Sequence, residues 1–471
     1  MERLAPRGTL PVCVIGAGVS GLATAKYIHQ AGIPFDCIDE RDSVGGIWAY
    51  TERPGITCAW RTLNSNSPRG TYAYHDFPMP DHYADFPSGA EVCDYLNAYV
   101  DHFGFRDHIE LGRRVERVEP RPDGTWDVTL DGGEARRYAA VVAANGHHHE
   151  PRYPDYAGDF TGEALHSQDY RHRERFLGKR VMVVGLGNSG SQIAVDVSHA
   201  AEHTLLSVRR GAWILPHLIR GKPYNRWLSP PPWWVYRFTP TRLLNTMVSL
   251  YVRLLLGRPD RYGLPKPDHR FGETIPTICE GIHDRIANGR LMVKPAVARI
   301  EDQRVTFADG TEEVVDAIIY CTGYHTTFPF LDRRIFAADE NWIRLYKRAF
   351  LPDYPTLCFV GAFQAIGPSF VPVFEAQARL VVAYLSGEYA LPSPEEMERD
   401  IARDLAMIER TFVRSPRNNY QVDTTVIIHD FEVELKRGRR RAARRRGGAR
   451  PVPVVADEPE PADPLPAARS R

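Results

Sequence analysis

Two glycine-rich fingerprints of one design constrain this chain more than any other feature: VIGAGVSGLA from Val14 and VVGLGNSGSQ from Val183. Each follows an apolar run suited to a buried parallel strand, PVCVIG and VMVVG, and opens a helical pattern. That is the context in which GxGxxG binds a dinucleotide. Gly16 and Gly185 permit the tight turn, Gly18 and Gly187 let backbone approach a pyrophosphate, and Gly21 and Gly190 allow helix to pack closely on strand. Ala17, Val19 and Ser20 in the first copy, and Asn188 and Ser189 in the second, set a helix N-terminus toward the phosphates.

The copies differ where nucleotide specificity is set. At one offset from the leading glycine, the first copy reaches Glu40 at the close of FDCIDE and the second reaches Arg209 at the close of TLLSVRR. A carboxylate accepts hydrogen bonds from ribose hydroxyls and repels a 2′-phosphate. Guanidinium groups at Arg209 and Arg210 suit that phosphate through charge-assisted bonds. The first site therefore predicts FAD and the second NADP, with Arg41 and Ser207 beside the two strand ends. The predicted fold class is α/β, with two Rossmann-like, three-layer dinucleotide-binding domains.

A chain of 471 residues is too long for one core. Its apolar fraction of 43% and charged fraction of 25% are ordinary for a globular protein. The seven cysteines include no CxxC pair, and Cys13, Cys37 and Cys321 fall within apolar strand runs, as buried thiols in a reducing cytosol do. MERLAPRGTLPV lacks the apolar core of an export signal, and no uncharged run is long enough to span a bilayer, so the expected location is cytoplasmic.

Net charge is zero, with 59 basic and 59 acidic residues, but residues 436–450 are basic without one acid. The stretch 436–471, basic and then Pro- and Ala-rich, is expected to be disordered, because it offers little apolar surface to offset ordering entropy. It has no interleaved aromatics for base stacking, so no nucleic-acid partner is expected.

After the first fingerprint, RDSVGGIWAY places Gly46 for close backbone approach, then Ile47 and Trp48, the latter against a flavin ring. RRVERVEP, which contains Val115, and TWDVTL read as antiparallel strands hinged at Pro122 to Gly124. Residues 212–272 are aromatic and Pro-rich, and Leu243, Leu244, Met247, Tyr251, Leu254 and Leu255 fall on one helical stripe. Core or lid packing is the expected role of that stripe. A peripheral membrane contact through 227–256 and a homodimer interface stay open beside it.

FTGEALHSQDY, with Phe160, Gly162, His166 and Tyr170, fits FxGxxxHxxxY, and the chain resembles the flavin-containing monooxygenases. VVGLGNSG, LNSNSPRG, DFPMP, IIYCTGYHTTFPFL and FVGAFQAIGPSFVPVFEAQAR follow in that family's order from about Pro11 to Gly387. The resemblance implies a FAD domain, 1–159 and 316–435, interrupted by an NADP domain at 160–315. It implies that NADPH reduces FAD, that molecular oxygen adds at flavin C4a, and that a nucleophilic nitrogen or sulfur of a small organic substrate takes the distal oxygen. The protein positions groups and excludes water, and no metal is needed. Asn66 matches the family asparagine between flavin and nicotinamide and is the expected catalytic residue. Ser65 and Ser67 flank it at cofactor contacts, while Gly323 and Gln364 fall in stretches that the family sets near the flavin.

The chain departs from the family at Ser191 and Gln192, where a Cys-Asp or Ala-Asp pair is usual. Tyr170 and Arg171 stand where Baeyer–Villiger relatives carry Trp followed by Pro or Asp, which favours heteroatom oxidation. A Baeyer–Villiger monooxygenase and an NADPH-linked redox sensor or binding flavoprotein remain as alternatives. A disulfide reductase needs a redox cysteine pair that this chain does not space.

Overall fold

The computed structural model describes residues 10–156 and 158–446. Strand Val12–Ile15, buried at every position because its run is apolar without alternation, lies in the middle of a five-stranded parallel sheet. The order is Leu357–Phe359, Ala140–Ala143, Val12–Ile15, Phe35–Asp39, Ile109–Leu111. A second parallel five-stranded sheet runs Met292–Lys294, His203–Ser207, Arg180–Val184, Ala317–Tyr320, Glu163–His166. Chain that forms the second sheet thus interrupts the first, which is completed at Leu357. The antiparallel pair expected around Pro122 forms, with Val118 opposite Val128.

The return expected at 316 falls too early. Ala317–Tyr320 pairs with Arg180–Val184 and so belongs to the second sheet. A buried apolar strand reads alike whichever sheet receives it.

Helices α1 (Val19–Gln30) and α3 (Asn188–Val197) follow the two glycine loops. Between them, α2 (Gly89–Phe103) starts on a capping box: Ser88 Oγ accepts from Glu91 N at 3.2 Å, and the Glu91 carboxylate accepts from Ser88 N at 2.8 Å. Helices α4 (Trp233–Phe238), α5 (Thr241–Leu256) and α6 (Ile282–Ala287) come next, then α7 (Val371–Leu385), α8 (Pro394–Thr411) and α9 (Thr424–Arg446). Leu22, Ala25, Val142, Leu380 and Val381 belong to the core shared by the first sheet, α1 and α7. The insertion packs a small core around Trp213, Leu215, Tyr224 and Val252, which Phe86 of the first domain and Ile278 join.

Two expectations need correction. The stripe of α5 is only partly buried. Leu244 and Leu255 are half-buried, with Leu244 and Tyr251 lining a cavity and Leu255 packed on the insertion's core. Leu243, Met247 and Leu254 are 53%, 60% and 77% exposed, as is Leu250 beside them at 60%, whereas Asn245 and Ser249 are buried. Ser249 is inside because its Oγ accepts from Phe271 N at 2.8 Å, which ties the helix to the end of the insertion. The basic segment is not disordered from 436. Helix α9 continues to Arg446, with Arg441 donating through Nε to Ala390 O at 2.8 Å and pairing with Glu434, and Ala442 is buried. Specific partners offset the charge that composition alone counts against helix packing. The rest of that tail, 447–471, and residues 1–9 of the start lie outside the described residues.

Candidate active site

Gly16 and Gly185 have φ of +109° and +112°, and a Cβ on either would come within 2.6 Å of a carbonyl oxygen, Ala144 O or Cys321 O. Only glycine tolerates both the turn and the approach. Gly18 and Gly187 stand at the N-caps of α1 and α3 without a side-chain cap, which leaves first-turn N–H groups to serve a phosphate. A Cβ on Gly46 would lie 2.9 Å from Gly18 Cα, so the Gly45–Trp48 segment closes backbone-to-backbone on the first loop. These are cradles that side chains would fill, and they fit two pyrophosphates.

Asp39 ends the second strand and holds the loop from below: its carboxylate accepts from Ala17 N at 2.7 Å and Arg41 N at 2.9 Å. The sequence reading missed this role, although the acid at the end of an apolar strand was visible. Glu40, the next residue, is exposed and lines the cavity, where its carboxylate is available to a ribose.

One cavity of about 1180 Å³ joins the two motifs. From the first domain its wall includes Gly16, Gly18, Val19, Ser20, Glu40 and Arg41. Gly46, Ile47 and Trp48 continue it, with Val115 and Gln364 on other sides. Ser65, Asn66 and Ser67 complete it, and Asn188 and Ser189 enter from α3. Trp48 is held by a 2.7 Å hydrogen bond from its Nε1 to Tyr72 OH. Ala17 and Gly21 are buried in the first loop and helix, and Gly185, Gly187 and Gly190 form the turn that presents Asn188.

The remaining expected residues stand apart from that wall. Ser207 Oγ donates to Pro295 O at 2.9 Å. Arg210 is committed to Asp268, through Nε at 3.0 Å and Nη2 at 2.7 Å. Arg209 is exposed at the end of its strand and has no ion pair among the described residues, so of the two it is the guanidinium open to a 2′-phosphate. Gly323 serves the backbone, its carbonyl accepting from Arg152 N at 2.9 Å.

Asn66 lies where the two domains meet. Its Oδ1 accepts from Gln192 Nε2 on α3 at 2.6 Å. The loop is stiff: Ser65 N donates to Pro87 O at 2.7 Å, Ser65 Oγ donates to Ser67 O at 3.0 Å, and Ser67 N donates back to Ser65 Oγ at 3.1 Å. The sequence flagged Gln192 only as a departure, not as the contact of Asn66. Burial holds His147 down at about 4 and His148 well below the usual imidazole range, so these two of the cavity-wall histidines are neutral at pH 7. All seven cysteines are free, and burial raises the thiol of Cys321.

Two interleaved nucleotide folds that open on one shared cavity define a dinucleotide-dependent flavoprotein oxidoreductase. The sequence comparisons narrow this. The flavin-binding monooxygenase-like family model matches residues 10–437. Flavin-containing monooxygenase 5 of Oryctolagus cuniculus is 34% identical over 432 residues, covering 88% of this chain and 80% of that protein. In fold, the chain is similar to the S-allyl-L-cysteine S-oxygenase of Allium sativum, with TM-score 0.68, 24% identity and 93% of each chain covered. It is similar also to cyclohexanone monooxygenase of Rhodococcus sp. Phi1 bound to NADP+, with TM-score 0.68, 17% identity, and coverage of 91% of this chain and 96% of that one. The chain belongs to the flavin-binding monooxygenase-like family: it is an NADPH-dependent flavin monooxygenase, with FAD and NADPH the cofactors of that family.

Proposed function

We propose that this enzyme oxygenates a nucleophilic nitrogen or sulfur of a small organic molecule in the cytoplasm, with molecular oxygen as co-substrate. The observation that carries the reading is the place of Asn66, on a first-domain loop and 2.6 Å from α3 of the second, in the wall of the shared cavity. When bound, FAD supplies the oxygen chemistry and NADPH the hydride. The chain's own residues do the rest. The first-turn N–H groups of α1 and α3 hold the pyrophosphates, Glu40 the ribose of FAD, and Arg209 the 2′-phosphate of NADPH. Asn66 bridges flavin and nicotinamide through its amide. Leu244, Val248, Tyr251 and Phe271 wall the cavity with apolar surface that keeps water from the reacting centre.

The test is anaerobic reduction of the flavin-loaded protein by NADPH, followed by rapid mixing with oxygenated buffer. A persistent absorbing species distinct from oxidised and reduced flavin, discharged by an amine or thioether to give its N- or S-oxide, is expected. Direct return to oxidised flavin favours the redox-sensor alternative, and ester formation from a ketone would replace this reading with the Baeyer–Villiger one.

No helix among the described residues is long and apolar enough to cross a membrane. The exposed face of α5 continues into Trp233, Trp234 and Phe238 of α4, and Trp233 stacks on His429 of the basic α9, with ring centroids 3.9 Å apart. We infer that this ridge rests on anionic lipid, its aromatics in the interface and the arginines of α9 near the headgroups. Co-sedimentation with phosphatidylglycerol vesicles is expected and should fall sharply in Leu250→Ser/Leu254→Ser. A concentration-dependent dimer broken by the same variant, without vesicle binding, would make the ridge a subunit interface instead.

A further inference from the structure

Gln192 has two hydrogen bonds, and together they fix which way Asn66 points. Its amide reaches the carbonyl oxygen of Ile278 at 2.8 Å and the side chain of Asn66 at 2.6 Å. A backbone carbonyl can only accept, so the atom of Gln192 facing Ile278 is the nitrogen, Nε2. The same nitrogen faces Asn66, so Asn66 must meet it with an acceptor, Oδ1. Nδ2 of Asn66 therefore turns away from Gln192. It has no hydrogen bond to any described residue, and Asn66 lines the cavity into which the two glycine loops open.

A carboxylate at position 192, the charge type usual in the resembling family, cannot donate. Where one reached Asn66 it would meet Nδ2 and leave Oδ1 facing the cavity, the opposite of the polarity that Gln192 sets here.

We propose that Gln192 is a positioning residue that makes Asn66 a hydrogen-bond donor toward the bound dinucleotides. This rests on the placement of Asn66 between flavin and nicotinamide. The ligand atom that Asn66 Nδ2 meets is then an acceptor, a carbonyl or an oxygen gathering negative charge. Because Gln192 is on α3 and Asn66 on a first-domain loop, the same bond ties that polarity to the docking of the two domains.

The variants are Gln192→Glu, Gln192→Met and Asn66→Ala in the FAD-loaded enzyme. NADP+ affinity is read by titration of the flavin's visible circular dichroism, and hydrogen peroxide released per NADPH oxidised is read separately. Gln192→Met, of similar volume but without donors, is expected to weaken NADP+ about tenfold at every pH, the size of one lost hydrogen bond. In Gln192→Glu the carboxyl lies beside the carbonyl oxygen of Ile278, which disfavours its ionised form and raises its titration. The ionised form cannot donate, so the defect is expected at about pH 8 and is expected to fade toward about pH 5.5 as the protonated acid donates to Asn66 Oδ1. A Gln192→Glu enzyme indifferent to pH, beside an impaired Asn66→Ala, overturns the role of Gln192 alone. An Asn66→Ala enzyme with unchanged NADP+ affinity and peroxide release overturns the placement of Asn66, and the inference with it.

Discussion

At the scale of single residues, the nucleotides are proposed to be separated by charge at two strand ends. Glu40 and Arg209 could be singled out because strand-end position and side-chain charge are read directly from sequence, whereas the neighbours, which sequence does not show, decide which guanidinium is open to a ligand. Arg210 spends its guanidinium on Asp268, and Arg209 has no such partner among the described residues. Arg209→Ala is therefore expected to lower the preference for NADPH over NADH, as a ratio of kcat/KM, by about tenfold or more, and Arg210→Ala by much less. Equal effects would reverse the assignment. The contact of Gln192 with Asn66 was not legible, since it joins residues separated by 126 positions through the docking of two domains, and nothing local encodes that. His166 could be placed in its motif but not given a state. It is fully buried, its Nδ1 accepts from Gln168 N at 3.2 Å, and burial holds its pKa at about 4. An unfolded histidine titrates near 6.5, so between about 6.5 and 4 the unfolded chain binds the extra proton. Stability contributed by neutral His166 is complete above that window and is lost as pH falls through it. Melting temperature should drop on acidification across this range, less steeply in His166→Asn; identical slopes would show that other groups carry the acid sensitivity.

At the scale of elements, periodicity and composition mislead where a partner decides the outcome. The α5 stripe reads as one apolar face, yet its buried positions include Asn245 and Ser249, and one exposed line of leucines and methionine faces outward. Net charge predicts no order after Lys436, yet α9 runs on because the segment around Glu388 to Leu391 receives it. Glu434 has a side chain only 4% exposed, accepts from Tyr389 OH at 3.0 Å and pairs with Arg441. Arg441→Met leaves that carboxylate buried without its cation and is expected to cost about 2 kcal/mol or more. Arg439 pairs with Glu388 in solvent, both more than half exposed, and Arg439→Met should cost under about 1 kcal/mol. Denaturant midpoints of the two variants, compared at one pH, check the ranking. If Arg441→Met matches Arg439→Met, the end of α9 does not owe its order to the buried pair.

At the scale of the whole molecule, the two nucleotide folds share one cavity, so their ligands cannot be thermodynamically independent if both are in place around Asn66. The doubled fold was legible because each glycine loop carries its own strand and helix. The return point was not, because Ala317–Tyr320 and Leu357–Phe359 are both short, apolar and parallel, and only pairing tells which sheet each joins. Removing FAD is expected to lower the melting temperature, since a ligand of the folded state at a hundredfold its Kd contributes about 2.7 kcal/mol. The sharper expectation concerns NADP+. In the proposed arrangement FAD, once bound, would fill the cavity beside Asn66, Trp48 and Gln364, which all line it, and so would build part of the surface that NADP+ meets. Coupling of this kind is reciprocal. NADP+ should raise the melting temperature more in FAD-loaded than in FAD-stripped protein, and FAD should bind more tightly in the presence of NADP+. An NADP+ shift of equal size with and without FAD would mean that the nicotinamide end does not reach the flavin in the resting enzyme. In that case, catalysis would require the second domain to move before hydride transfer.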